Sequence, residues 1–239
     1  SLTIEQIQQG ILILAAVITV AGSTTTAADA PTSPATASST LPAGRYTLDK
    51  YHASLVFRVD HLGFSRYTAR FTRFDVQLDF DPAHADTAQM TATIDPDSLE
   101  LDNPPAGFAD ALKGPLWLDT AQYPAMSYRS RRVTRGTEGV LRIDGDLMLH
   151  GITSPVTLFA TFNGGYAGHP LDPNARIGFS AHGTFRRSAF GIAYGIPPVG
   201  SSMGVSDEVE VIIEAEFSGP PWAGSPPHAA GRCRGRAAR

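Results

Sequence analysis

From Ser54 to Phe217 the sequence alternates apolar and polar residues with a period of two, in segment after segment. Leu55, Phe57 and Val59 alternate with Ser54, Arg58 and Asp60, and Val76, Leu78 and Phe80 alternate with Asp75, Gln77 and Asp79. The pattern returns at Met90, Ala92 and Ile94, at Leu141, Ile143, Leu147 and Leu149, and at Val156, Leu158, Ala160 and Phe162. It returns again at Ile177, Phe179, Ala181 and Phe185, and finally from Val209 to Phe217, interleaved with Glu208, Glu210, Glu214 and Glu216. Successive side chains of a strand point to opposite faces, so each segment presents one greasy face and one wet face. That is the signature of an antiparallel sheet solvated on one side.

Parallel architectures are disfavoured because helices do not alternate with the strands. The single short helical candidate, around residues 106–118, is interrupted by Gly114-Pro115. Turn signals at Asp81-Pro82, Gly136 to Gly139, His150-Gly151 and Asp172-Pro173-Asn174 divide about eight strands, several of them long. One all-β domain follows, an antiparallel up-and-down barrel or a sandwich. A barrel of that size either fills its interior with side chains or encloses one ligand, and the periodicity is compatible with both.

The two ends of the 239-residue chain differ from this middle. An apolar run from Ile11 to Ala21, followed by Ala28-Asp29-Ala30, fits the hydrophobic part and cleavage site of a secretory signal peptide, expected over residues 1–30. The first ten residues depart from that pattern, since they contain Glu5 and no Lys or Arg. Residues 31–44 hold Pro, Ser, Thr and Ala without charge and read as a linker. Residues 219–239 carry four prolines, then Arg232, Arg234, Arg236 and Arg239, and read as a basic tail that could touch anionic lipid headgroups transiently. The barrel domain is expected over residues 45–218. A formal net charge of -4 gives no reason to propose nucleic acid as a partner, and Cys233, the single cysteine, forms no internal disulfide.

Catalytic and metal signatures are weak. Gly200-Ser201-Ser202-Met203-Gly204 matches G-x-S-x-G in letters, but prolines precede it and a strand follows, whereas a nucleophile elbow needs a strand before and a helix after. No histidine pair has metal-ligand spacing. The acidic run Asp95 to Asp102 lacks the glycine and terminal glutamate of a calcium loop. Arg129, Arg131, Arg132 and Arg135 form a basic stretch that either guards an edge strand or meets a phosphate.

Taken in order, the motifs resemble the YceI-like family of secreted lipid-binding proteins. The stretch Tyr46-Thr-Leu48-Asp49 through His61-Leu62-Gly63 is similar to its opening signature, and Phe71-Thr-Arg-Phe74-Asp75 to its next strand. Leu112 through Trp117 to Tyr123-Pro124 is similar to its middle motif, and Gly145-Asp146-Leu147 through His150-Gly151 to Pro155-Val156 to its central hairpin. Phe179 to Gly191 and Val205 to Val209 are similar to its last strands. The chain departs from the family pattern at Phe108-Ala-Asp110, where only the aspartate of an Arg-Asp-x-His step is kept, and at Arg70, where a glycine is usual.

The resemblance implies an extended, lipocalin-like antiparallel β-barrel and an apolar cavity for a polyisoprenoid chain such as an isoprenoid quinone or a polyprenyl phosphate. It also implies periplasmic location and a homodimer, and it brings a bound lipid in place of any catalytic cofactor. On that reading the protein is a non-enzymatic carrier; the alternatives are an enzyme acting on a small hydrophobic substrate and a stress-response interaction module with a filled barrel. Phe57, Val59, Phe71, Leu78, Ile94, Leu147, Leu158 and Phe179 are expected to contact the chain. His61, Asp110 and Arg129 are expected at the headgroup end.

Overall fold

The computed structural model describes residues 41–222; the expected signal peptide, most of the linker, Cys233 and the arginine tail lie outside the described residues. Strand β1 (Gly44–His61) is followed by β2 (Ser65–Phe71), β3 (Phe74–Phe80), β4 (Gln89–Ile94) and β5 (Leu99–Leu101). A six-residue helix, α1 (Phe108–Lys113), leads to β6 (Met126–Arg135), β7 (Leu141–Leu149), β8 (Ile152–Tyr166), β9 (Asn174–Arg186) and β10 (Val205–Pro221).

The strands are joined in the order β10-β9-β8-β7-β6-β4-β3-β1, and β1 pairs back onto β10. Every pairing is antiparallel, so these eight strands form a closed up-and-down barrel rather than a sandwich. Closure removes the free edges that an open sheet must protect.

Strand β1 does two jobs along its length. Gly44–Thr47 pairs with β3, whereas Leu55–His61 pairs with β2. The irregular register between Leu48 and Ala53 bends β1 at the point where it changes partner. Beyond the fork, β2 and the short β5 extend the wall upward. The barrel thus has a base, holding Gly44, Phe80, Leu141 and Phe217, and a top, holding His61, Met126, Leu149 and Val205.

Aromatic side chains fill the base. Tyr46 is wholly buried, with its ring edge against Phe80 at 6.2 Å and its hydroxyl donating to the Pro42 carbonyl at 2.6 Å. Phe179 packs against Phe80, Phe162 and Phe217 at 5.6, 5.3 and 6.2 Å. Leu41 is also buried, so the last residues of the expected linker pack onto the barrel. At the other end of the sequence, β10 runs on to Pro221, past the expected boundary at 218, because a register irregularity after Ser218 lets Pro221 lie opposite Asn174.

At the top, His150 and Gly151 turn β7 into β8, both with positive φ, as a tight hairpin requires. The His150 ring nitrogen Nδ1 lies 3.1 Å from the Phe190 carbonyl, tying this hairpin to the 3₁₀ turn Arg187–Phe190. Helix α1 packs against β5, and Trp117 meets Tyr194 edge-on at 5.6 Å, so residues 106–125 and 187–204 meet over the top of the barrel.

Candidate functional site: an apolar cavity along the barrel

The inward faces of the eight strands do not close on one another. They leave a cavity of about 610 Å³ that runs from the aromatic base to the top. This lies within the size range of small-molecule sites. The sequence left open whether the barrel is filled or hollow; it is hollow.

The side chains expected to meet a ligand fall along the lining in a regular way. Leu78, Leu158 and Phe179 line its lower part, Phe57, Phe71, Ile94 and Leu147 its wall, and Val59 and His61 its upper end. The alternation that builds each strand is what aims them inward. Asp110 and Arg129 are not among the lining residues. Arg129 lies between the inward Tyr128 and the half-buried Ser130 on β6, so strand parity turns it outward into solvent, and Asp110 sits on an exposed position of α1.

Carboxylates and most cations stay on the outer wall, where they pair with one another. Arg45 meets Asp79, Arg70 meets Glu100, and Arg73 meets Asp95, all with N–O distances of 3.0 Å or less. Asp95 also accepts from the Asp97 amide, which explains the acidic run there as a capped turn. Asp49, His52 and Glu216 come together outside the barrel, yet Asp49 is already bound by Arg176 at 2.6 Å, which opposes a metal cation. Ser202 lies in the loop between the Arg187–Phe190 turn and β10, with no helix following it.

Three polar side chains that sequence patterning did not single out reach the cavity. Tyr128 is buried, and its hydroxyl sits 3.1 Å from the carbonyl oxygens of both Ile143 and Val156; burial pushes its pKa up. Arg187 is 3% exposed. Its Nε donates to the Ser206 carbonyl at 2.9 Å, Nη1 to those of Ile192 and Tyr194 at 3.0 and 2.8 Å, and Nη2 to that of Val205 at 2.8 Å. Its guanidinium carbon lies 5.0 Å from the Trp117 ring, a cation–π contact. Burial pulls the Arg187 pKa below its usual value, and the Asp207 carboxylate opposes that shift. The third is Tyr67, whose ring stands edge-on to Phe108 at 6.2 Å. Its buried hydroxyl has no hydrogen-bond partner among the described residues.

The chain is similar to several known proteins. A family model described as a YceI-like domain matches residues 46–217. A UPF0312 protein of Vibrio cholerae is 33% identical over 165 residues, which is 69% of this chain and 81% of that protein. A UPF0312 protein of Yersinia pestis is 31% identical over 176 residues, 73% of this chain and 86% of that one. Among solved structures, BcnA of Burkholderia cenocepacia matches with a TM-score of 0.60 at 22% identity, over 71% of this chain and 98% of that chain. A polyisoprenoid binding domain from Saccharophagus degradans matches with a TM-score of 0.50 at 15% identity, over 73% of this chain and 98% of that chain.

Proposed function

Because the chain belongs to the YceI-like domain family, we propose that it is a lipid carrier, which takes up a long isoprenoid lipid in its barrel and holds it without chemical turnover. The observation that carries this reading is the continuous apolar cavity of about 610 Å³ inside a closed barrel. At about 25 cal/mol per Å² of apolar surface removed from water, a long hydrocarbon chain is retained by burial alone. A cavity walled by Leu, Ile, Val, Phe and Met does not distinguish one isoprenoid tail from another, so length and width of the tail set the fit. The Saccharophagus domain of similar fold, which is named for polyisoprenoid binding, supports the same ligand class.

An isoprenoid quinone or a polyprenyl phosphate meets these requirements, since each joins a long apolar tail to a compact polar end. Periplasmic location is part of the proposal; it is supported by the apolar run Ile11 to Ala21 and the Ala28-Asp29-Ala30 sequence after it. Native mass spectrometry and lipid extraction of the protein purified from a bacterial periplasm test the reading. The expected result is a bound isoprenoid lipid in stoichiometric amount. A barrel that arrives empty and has no affinity for quinones or polyprenyl phosphates overturns it.

A further inference from the structure

The side wall of the barrel has a seam that the strand ladder does not close. Strand β1 pairs with β3 as far as Thr47, opposite Gln77, and with β2 only from Leu55, opposite Phe71. Between those points no ladder pair joins residues 48–54 of β1 to the turn that links β2 to β3. A cleft of about 760 Å³ opens on the outer surface at this place. Leu55, Phe71, Phe74 and Ile94 line the cleft, and the same four side chains line the inner cavity. The two spaces are therefore separated by a partition one side chain thick.

The two flanks of the β2–β3 turn are held very differently. On the flank toward β4 and β5, the Thr72 amide and hydroxyl both donate to the Ser98 carbonyl at 3.2 Å. The Arg73 amide donates to the Ser98 hydroxyl at 3.0 Å, and the Asp95 amide to the Arg73 carbonyl at 3.0 Å. The Arg73 guanidinium adds an ion pair with Asp95 at 2.8 Å. On the flank toward β1, the polar side-chain contact across the seam among the described residues is one ion pair, Lys50 Nζ to Asp75 at 3.1 Å. Its side chains are 63% and 48% exposed, and an ion pair so wet is weak. The ends of the cavity are closed more firmly. Aromatic rings pack the base, and the top is crossed by four bonds from Arg187 and one from the Leu62 amide to the Gly204 carbonyl. Passage at the seam needs new rotamers of four apolar side chains and release of one surface ion pair, with no ladder pair broken.

We propose that this seam is a lateral portal, through which the lipid tail enters and leaves the barrel, with the Lys50–Asp75 pair as its latch. The inference rests on the carrier reading above and adds a route to it. A gate has a kinetic signature that a binding contact lacks. The latch is closed in the empty and the loaded barrel alike, so weakening it lowers the barrier in both directions and leaves the equilibrium where it was.

Lys50→Gln and Asp75→Asn each remove the latch. They change the net charge in opposite directions, so an effect common to both is not electrostatic steering. Arg45→Gln is the control: Arg45 pairs with Asp79 across the same two strands at similar exposure, but there the ladder itself joins β1 to β3. Stopped-flow mixing of the full chain with an isoprenoid quinone, read by quenching of tryptophan fluorescence, gives the association rate, because Trp117 lines the cavity. Release into lipid vesicles gives the dissociation rate. Both rates are expected to rise by the same factor, about two- to fivefold, in the two latch variants, with Kd unchanged and Arg45→Gln indistinguishable from wild type. Wild-type rates in the latch variants, equal acceleration in the control, or a change in one rate alone overturns the portal and leaves quinone binding, and with it the carrier reading, standing. A wild type that binds neither an isoprenoid quinone nor a polyprenyl phosphate removes the carrier reading, and the portal with it.

Discussion

Tyr128 on β6 occupies the space that a side chain at Gly145 on β7 would need. A Cβ at Gly145 would run into the Tyr128 ring and hydroxyl and would stand only 2.6 Å from the Arg129 carbonyl oxygen. The glycine is therefore required by close approach, not by backbone angle, and it lets a tyrosine lie flat against the inner wall of a strand pair. Gly145→Ala is expected to destabilise the fold by about 1–3 kcal/mol, the usual cost of forcing extra volume into a packed site. Urea denaturation measures it, and an unchanged midpoint would show that the tyrosine moves aside freely.

Ala181 offers the opposite experiment, filling space that is empty. It lines the cavity and pairs with Ala160 on one side and Ile213 on the other, so this stretch of wall is built partly from small side chains. Ala181→Trp should project an indole into the path of a bound chain. We expect long-chain lipid binding to fall by more than tenfold while the protein remains folded by circular dichroism. Retained affinity in a folded variant would mean that the chain does not run past β9.

Much of this architecture is legible in the sequence because strand periodicity reports directly on what faces inward. The seven alternating segments are the cores of β1, β3, β4, β7, β8, β9 and β10, and their inward residues line the cavity, apart from Phe162 and Ile177, which pack in the core. Strand β6 escaped that reading for a physical reason. Met126 and Tyr128 face inward with even parity, then a bulge between Ser130 and Arg132 shifts the register, and the next buried residue is Val133. A bulge breaks the alternation that marks the inward face of a strand. The alternation itself reaches the top of the cavity. Arg187 keeps the inward parity of Phe179, Ala181 and Phe185 and is buried, whereas Arg186 keeps the outward parity of Ser180 and His182 and is exposed. Its charge is what argues against an inward place for Arg187, and the backbone carbonyls that accept from it there lie in the loop and at the start of β10, beyond the reach of local pattern. Charge alone points to Arg129 as a site residue, and strand parity places it outside.

The outer wall near the base contains a charge network with a defined pH dependence. Arg176 on β9 donates to Asp49 at 2.6 Å and to Asp172 at 3.0 Å, and Tyr166 donates to Asp172 at 2.7 Å. The hydrogen bond from His52, with help from the Tyr51 amide and Arg176, holds the Asp49 carboxyl below its ordinary pKa. Tyr166, and then Arg176, do the same for Asp172. A carboxylate whose pKa is lower in the folded state stabilises the fold above its unfolded pKa, near 4, and that stabilisation is lost as pH falls through the folded value. Urea midpoints at pH 7 and pH 3 should therefore differ less in Asp172→Asn than in wild type. An identical gap in both proteins would remove the network from the account.

Arg187 also carries a structural prediction that is separate from ligand binding. Its four hydrogen bonds gather the carbonyls of Ile192, Tyr194, Val205 and Ser206, which lie at both ends of the long loop over the top of the barrel. Trp117, from the segment after α1, rests on the same guanidinium. Arg187→Met keeps most of the apolar volume but leaves these carbonyls without a donor, and we expect a loss of about 2–4 kcal/mol, because buried acceptors are costly to strand. Arg187→Lys should fall between the two, since an ammonium has only three donors and no planar fork. The loss should be local first. Amide hydrogen exchange of Val205 and Gly204, whose amides donate at 2.8 and 2.9 Å to Gly195 and Ser202, should accelerate before that of the central strands. Uniform exchange rates across loop and barrel in the methionine variant would show that the arginine does not hold the top of the barrel in place.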